Sequence, residues 1–264
     1  MVDVIDKASI WQQILHEARA ASREEPALAS FYHASILNHR NIESALSFVL
    51  AYKLGNNALP ALLLRQVFDA AYGDQSSIID DACTDILAHF DRDPACDTYC
   101  LPFLYFKGFH ALQAYRVARY LWLQQRTDLA MFLQSNVARV FDVDIHPGAR
   151  IGRGIMIDHA TGVVIGETAV VGNNVSMLHS VTLGGIGCDQ VDRHPKVDDD
   201  VLISTGAKLF GNIRVGQGAK IAAGSLVLEN VPAYSTVAGV PAVMVGGRHQ
   251  SSPAHDMDHR FDSY

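Results

Sequence analysis

The sequence is poor in several features that mark whole classes of protein. No apolar run approaches the roughly 18 residues that a membrane-spanning helix needs. The N-terminus, Met1-Val2-Asp3-Val4-Ile5-Asp6, is acidic where a secretory signal is basic, so the expected compartment is the cytoplasm, with no membrane partner. Cysteine is scarce: Cys83, Cys96, Cys100 and Cys188 are irregularly spaced and form no Cys-x-x-Cys pair. Disulfide frameworks are dense and occur in short chains, so these four read as reduced thiols. Cys96 and Cys100 would supply half of a metal site, and the sequence offers no second half. Positive charge is also in deficit, with 21 Lys and Arg against 28 Asp and Glu. That balance argues against a nucleic-acid partner, although local charge still allows a small anionic ligand.

What is there divides into two periods. Up to about residue 141 the apolar residues recur at three and four. The stripes are Ile10, Ile14, Leu15, Ala18; Ile42, Ala45, Leu46, Val49, Leu50; Leu59, Leu62, Leu63, Val67; Ile78, Ile79, Ala82, Ile86, Leu87; and Leu129, Phe132, Leu133, Val137, Val140. Each predicts an amphipathic helix with one face for packing. Pro26, Pro60, Pro94 and Pro102 fall between these segments or at their starts, where proline is tolerated. Residues 1–141 are thus expected to form an all-α domain.

From residue 145 the period becomes six. Ile145, Ile151, Ile157, Val163, Ala169, Val175 and Val181 hold one register, and Val197, Ile203, Leu209, Val215, Ile221 and Val227 hold a second. Neither a helix nor a simple strand repeats at six. A parallel β-helix of hexapeptide repeats does, each unit a short strand and a turn with its aliphatic residue inward. Residues 142–247 are expected to form this domain, left-handed, and 248–264 a flexible tail. Between the registers about ten residues are inserted near 184–195. A long loop on a rigid repeat scaffold is a favoured place for function. This one ends Asp192-Arg193-His194-Pro195-Lys196.

A helical half followed by hexapeptide repeats resembles the bacterial serine O-acetyltransferase family. The resemblance rests on Asp144-Ile145-His146-Pro147, on Asp158-His159-Ala160-Thr161-Gly162, on Ser180-Val181-Thr182-Leu183-Gly184-Gly185, on Asp192-Arg193-His194-Pro195-Lys196 and on Ala238-Gly239-Val240-Pro241-Ala242. In the helical half Leu28-Ala29-Ser30-Phe31-Tyr32-His33 and the run from Lys107 to Arg116 also match. The resemblance implies transfer of acetyl from acetyl-CoA to the hydroxyl of L-serine, without a resident cofactor or metal. It places the general base on His159, a side chain neutral and basic near neutral pH, and the carboxylate that orients it on Asp144. It assigns the serine ammonium to Asp93 and Asp158, and the serine carboxylate to Arg193, with His194 in the same pocket. It runs the pantetheine arm near Gly185, Thr205 and Ala223, with Lys220 near the phosphates. Lys196, Lys208, Arg214 and Arg248 are further cations in this half. Ser204 and Thr205 stand where the family usually has glycine and alanine.

The resemblance further implies a homo-oligomer, a trimer or a dimer of trimers paired through the helical domain, and L-cysteine as feedback inhibitor. Many members end in an isoleucine that docks into O-acetylserine sulfhydrylase. This chain ends Phe261-Asp262-Ser263-Tyr264, which leaves that complex open. Three other readings remain: transfer to a different acceptor such as homoserine, a γ-carbonic-anhydrase-type hydratase with His146, His159 and His179 as ligands, and an inert scaffold. The three histidines occupy different places in the six-residue unit, which does not favour convergence on one ion.

Overall fold

The computed structural model describes residues 6–187, 191–246 and 252–260. The helical half contains α1 (Lys7–Glu24), α2 (Ala29–Tyr32), α3 (Ile42–Leu54), α4 (Ala61–Asp74), α5 (Ser77–Arg92), α6 (Cys100–Leu104), α7 (Lys107–Leu123) and α8 (Thr127–Phe141). The starts of α1 and α3 are capped by Asp6 and Asn41, whose side chains accept from Ser9 N (2.7 Å) and Ser44 N (3.1 Å). No described helix is long and apolar enough to cross a membrane.

The α1 and α3 stripes are buried as the spacing predicts. In α4 the expected face is corrected: Leu62 and Leu63 are 70% and 48% exposed, and Leu64, Phe68, Ala71 and Tyr72 are buried instead. A run of three leucines fits either face at a spacing of three and four, and the two aromatics decide which one turns inward. In α8 Val140 is likewise exposed, and Phe141 takes its place in the core.

The β-helix coils through three parallel sheets. The first contains strands beginning at Val143, Val163, Thr182, Lys208 and Leu226; the second, strands at Arg150, Val170, Lys196 and Arg214. The third contains strands at Met156, Ser176, Leu202, Lys220 and Thr236, closed by an antiparallel strand at Ala242. All the six-period aliphatics are buried except Ile151, which is half-buried in the first coil.

Helix α7 lies across the open end of that first coil. Tyr115 Oη donates to Ala149 O (2.6 Å), Arg116 Nη2 to Gly152 O (2.8 Å) and Arg119 Nη1 to Gly148 O (3.1 Å). A Cβ on Gly108 would stand 2.1 Å from Ile157 O, so only glycine lets α7 approach this closely. The joint is completed by buried Asp85, whose carboxylate accepts from Gln113, from Arg116 Nε and Nη2, and from Ile155 N. Arg92 Nη1 reaches Gly154 O (3.0 Å) and Ser176 Oγ (3.1 Å). The helical half is therefore keyed chiefly to the first coil, with one bond reaching Ser176 on the second.

Of the tail expected to be flexible, residues 252–260 are described. A short helix α9 (Pro253–Asp256) buries Ala254, whose carbonyl accepts from Ser176 Oγ (2.7 Å). His259 Nδ1 lies 2.9 Å from Ser204 Oγ, and the Arg260 carbonyl accepts from Lys220 Nζ. Cys83, Cys96 and Cys100 are buried free thiols, with Cys83 and Cys96 each pushed up to about 12 by burial. Cys188, Arg248 and Phe261–Tyr264 lie outside the described residues.

Candidate active site

Two clusters of functional side chains form, one at each edge of the first sheet. The first sits where the third sheet turns into it, in the loop 158–162. His159 and Ala160 both take left-handed conformations, at φ 55° and 59°. Such backbone costs a non-glycine residue roughly 1–2 kcal/mol, and it persists here because the loop is tied down. Gly162 N donates to Asp142 O (2.8 Å), Asp158 N to Met177 O (2.9 Å) and Lys107 Nζ to Thr161 Oγ1 (2.5 Å). The result displays His159, whose side chain is 73% exposed, with Nε2 3.7 Å from the Asp158 carboxylate. Asp93, Asp158, His159 and Lys107 line one cleft between the loop and the helical half, with Tyr105 and Phe106 on its wall. Asp93 reaches it from the end of α5, where Arg92 anchors the helix to the β-helix.

Asp144 stands apart from His159 in this structure. Its carboxylate accepts from Gln134 Nε2, and no hydrogen bond joins it to the imidazole. It is nevertheless next to the loop, two residues from the Asp142 carbonyl that holds Gly162.

The second cluster occupies the corner between the first and second sheets. The Thr168 hydroxyl accepts from Arg193 N (3.0 Å) and His194 N (3.1 Å) and faces His194 Nδ1 at 2.8 Å. Thr168 N also donates to that Nδ1 (3.3 Å), so the neutral ring carries its proton on Nε2. Burial lowers the pKa of His194, and Arg193 and Lys196 push it further down. Arg193 Nη2 meets Glu167 Oε2 at 2.7 Å, a hydrogen bond that holds Glu167 below the usual carboxylate range. Lys196 ties the motif shut, donating to Asp192 Oδ1 (2.5 Å), His194 O (2.6 Å) and Thr168 O (2.9 Å).

Arg193 and His194 share no hydrogen bond or ion pair with Asp93, Asp158 or His159; the width of a sheet separates them within one chain. His146 also stands at this second corner, edge-on to Trp122 (centroids 5.2 Å apart), whereas His179 stands beside His159. Among the described residues no group of three or more His, Cys, Asp or Glu is arranged to hold a metal ion.

The residues expected along the donor arm divide similarly. Thr205 and Ala223 fall on successive coils of the His159 corner, linked by Gly224 N donating to Thr205 O (2.8 Å). Lys220 lies on the outer face of the third sheet. Gly185 packs at the other corner, where a Cβ would come 3.2 Å from Arg193 Cγ and 3.3 Å from His194 Nε2.

A family model described as "Serine acetyltransferase, N-terminal" matches residues 10–114. The chain is 55% identical over 253 residues to the serine acetyltransferase of Escherichia coli (strain K12), covering 96% of this chain and 93% of that one. The chain belongs to the serine acetyltransferase family. A solved serine acetyltransferase in complex with cysteine superposes with a TM-score of 0.96 at 52% identity, covering 97% of this chain and 100% of the other. One in complex with CoA superposes at 0.88 and 53% identity, covering 91% and 100%. The chain is thus an acyltransferase.

Within the serine acetyltransferase frame, the structure adds residues that sequence reasoning missed. Thr168 and Glu167 have no motif of their own and meet Arg193 and His194 only because consecutive coils stack. Lys107 falls in a helical motif that gives it no role in the cleft. His179 enters the sequence reading only as a candidate metal ligand, and its register with Thr205 and Ala223 is the signal that places it at the His159 corner.

Proposed function

We propose that the chain transfers acetyl from acetyl-CoA to L-serine, giving O-acetyl-L-serine and CoA, with His159 as general base. The observation that carries this reading is the cleft in which exposed His159 meets the two carboxylates Asp93 and Asp158. Serine is a zwitterion: the carboxylates suit its ammonium, and the guanidinium of Arg193 suits its carboxylate. His194, with its proton on Nε2, offers a donor beside Arg193. His159 takes the hydroxyl proton as the serine oxygen attacks the thioester carbon. Asp144 becomes its orienting partner by exchanging Gln134 for the imidazole, a bond that tightens when substrate binds.

The separation of the two clusters supports a shared site. One serine reaches both if the His159 corner of one copy faces the Arg193 corner of the next, a head-to-tail contact that closes as a ring. A trimer satisfies this, and exposed Tyr52, Leu62 and Leu63 on the helical half offer an apolar surface for pairing two trimers. Acetyl-CoA is the co-substrate, its arm along Thr205 and Ala223 and beside Gly185 of the facing corner, with Lys220 toward the phosphates. L-cysteine carries the same ammonium and carboxylate as serine and fits as a competing inhibitor.

The test is thiol release from acetyl-CoA with L-serine, with L-homoserine and with no acceptor, in wild type and His159→Ala. Serine-dependent release that falls by about 10²- to 10⁴-fold in the variant is expected. Release with homoserine alone would move the acceptor, and no release with any acceptor would overturn the reading.

A further inference from the structure

The two carboxylates of the His159 cleft come from different halves of the chain, and one side chain touches the backbone behind each. Asp93 caps the C-terminal end of α5 and directly follows Arg92. Its shape is fixed locally: Asp93 N donates to His89 O (3.0 Å), and Asp93 Oδ1 accepts from Ala95 N (2.9 Å). Asp158 directly follows the short strand Met156–Ile157, which leaves the turn at Gly154. Arg92 Nη1 donates to Gly154 O (3.0 Å) and to Ser176 Oγ (3.1 Å), so the guanidinium beside Asp93 grips the turn that leads to Asp158.

The path from that turn to Asp158 is stiff. Gly154 has φ 69°, and a Cβ there would stand 2.4 Å from Asn174 Oδ1. Ile155 N donates to Asp85 Oδ1 (2.9 Å), and Met156 and Ile157 pair in register with Ser176 and Met177. Asp158 N then donates to Met177 O (2.9 Å). Ser176, the second partner of Arg92, is held from its other side by donating to Ala254 O (2.7 Å).

Arg92 is only 8% exposed, and both oxygens it meets are neutral. Its Nε is buried without a hydrogen bond among the described residues. Asp91, Asp85 and Asp200 act on it through space, and none of them hydrogen-bonds to it. A buried cation without a carboxylate partner is costly, and an apolar side chain of similar length would join the two halves without desolvating a charge. An apolar contact, however, fixes neither the distance nor the direction of a particular peptide, as a hydrogen bond does.

We propose that Arg92 is a positioning residue of the acceptor site, one that sets the gap between Asp93 and Asp158 and thereby the hold on the serine ammonium. This role rests on the reading of those two carboxylates as the ammonium site. Without the tie the end of α5 is free to shift against the first coil. A carboxylate displaced by about 1 Å then no longer shares the ammonium with its neighbour, and the hydroxyl is offered to His159 at the wrong place.

A residue that acts through Asp93 loses its effect once Asp93 is removed, whereas a merely structural residue does not. The experiment is a double-mutant cycle of Arg92→Met and Asp93→Asn in the full-length oligomer, with kcat/KM for serine and KM for acetyl-CoA as readouts. Arg92→Met alone is expected to lower kcat/KM for serine by about tenfold or more, with the KM for acetyl-CoA within about threefold. In the Asp93→Asn background the same change is expected to cost less than about threefold. Circular dichroism checks the fold; where the Met variant does not fold, Arg92→Lys takes its place in the same cycle, keeping the cation but shortening its reach. Wild-type kcat/KM in the single variant, an equal factor in both backgrounds, or a matching rise in the KM for acetyl-CoA overturns the proposal while leaving serine acetylation intact. Absence of serine-dependent thiol release in wild type overturns the functional reading first, and this role with it.

Discussion

The hydroxyl of Thr168 ties down the 193–194 segment: it accepts from both backbone N–H groups and donates to Nδ1 of His194 at 2.8 Å. That donation follows because the two N–H groups occupy its lone pairs and Thr168 N already donates to the same ring nitrogen. Thr168→Val removes all three contacts at nearly constant volume. The KM for serine should rise by about tenfold or more while the KM for acetyl-CoA stays close to wild type, since freed polar groups cost roughly 1–3 kcal/mol. Thr168→Ser should behave as wild type. Equal kinetics for Val and wild type would show that the loop holds its shape unaided.

A shared site predicts complementation. His159→Ala and Arg193→Ala should each be nearly inactive alone. Co-expressed and purified as mixed oligomers, they should regain a measurable fraction of wild-type activity, because some interfaces then combine two intact corners. Differently tagged chains and a thiol-release assay measure this. No recovery in verified mixed oligomers would mean that each chain completes its own site.

Asp85 and Arg116 pair within the helical half, Oδ2 lying 2.7 Å from Nη2 with no solvent exposure of the carboxylate, and together reach the β-helix at Ile155 N and Gly152 O. Asp85→Ala leaves the guanidinium buried without its main partner, and Ile155 N without an acceptor. A loss of roughly 3–5 kcal/mol is expected in chemical denaturation. A loss below about 1 kcal/mol would show that water or Asp81, 3.3 Å from Arg116 Nη1, replaces the contact.

Acid should destabilise the helical half through His89 and His110. Burial lowers both to about 3, and His110 Nε2 lies 2.9 Å from Phe103 O, as a neutral donor would. Their folded pKa values lie below the unfolded value of 6.5. Their contribution is therefore complete above about pH 6.5 and is lost as pH falls toward about 3. His89→Phe removes one of the two protons taken up on unfolding. The slope of unfolding free energy against pH below about pH 6 should then flatten by roughly 1.4 kcal/mol per pH unit. An unchanged slope would show that His89 is already protonated in the folded chain.

The six-period register was legible because every unit repeats one constraint, an aliphatic side chain in a narrow core. The loop of His159 was legible only through its motif, since nothing in spacing distinguishes a displayed histidine from a turn residue. Thr168 and His194 are 26 residues apart and come together through an inserted loop, so no local pattern announces them. The α4 face was misjudged for the opposite reason: Leu62, Leu63 and Leu64 offered more apolar positions than the core could use. The contacts of residues 252–260 depend on surface detail of the third sheet, which composition does not encode.

Thr161, His179, Thr205 and Ala223 hold equivalent places on four successive coils, each carbonyl of the first three accepting from the residue that follows the next member, Ser180 N, Gly206 N and Gly224 N, and this ladder has a metric consequence. Adjacent coils of parallel strands stand about 4.8 Å apart, so the corner is graduated like a ruler with one mark per coil. If the distance from the anionic end of the donor to His159 is counted in coils, the acceptable donor length changes only in whole steps. A donor arm shortened by less than one step would still be bound at its anchor, yet hold its acyl carbon short of the base.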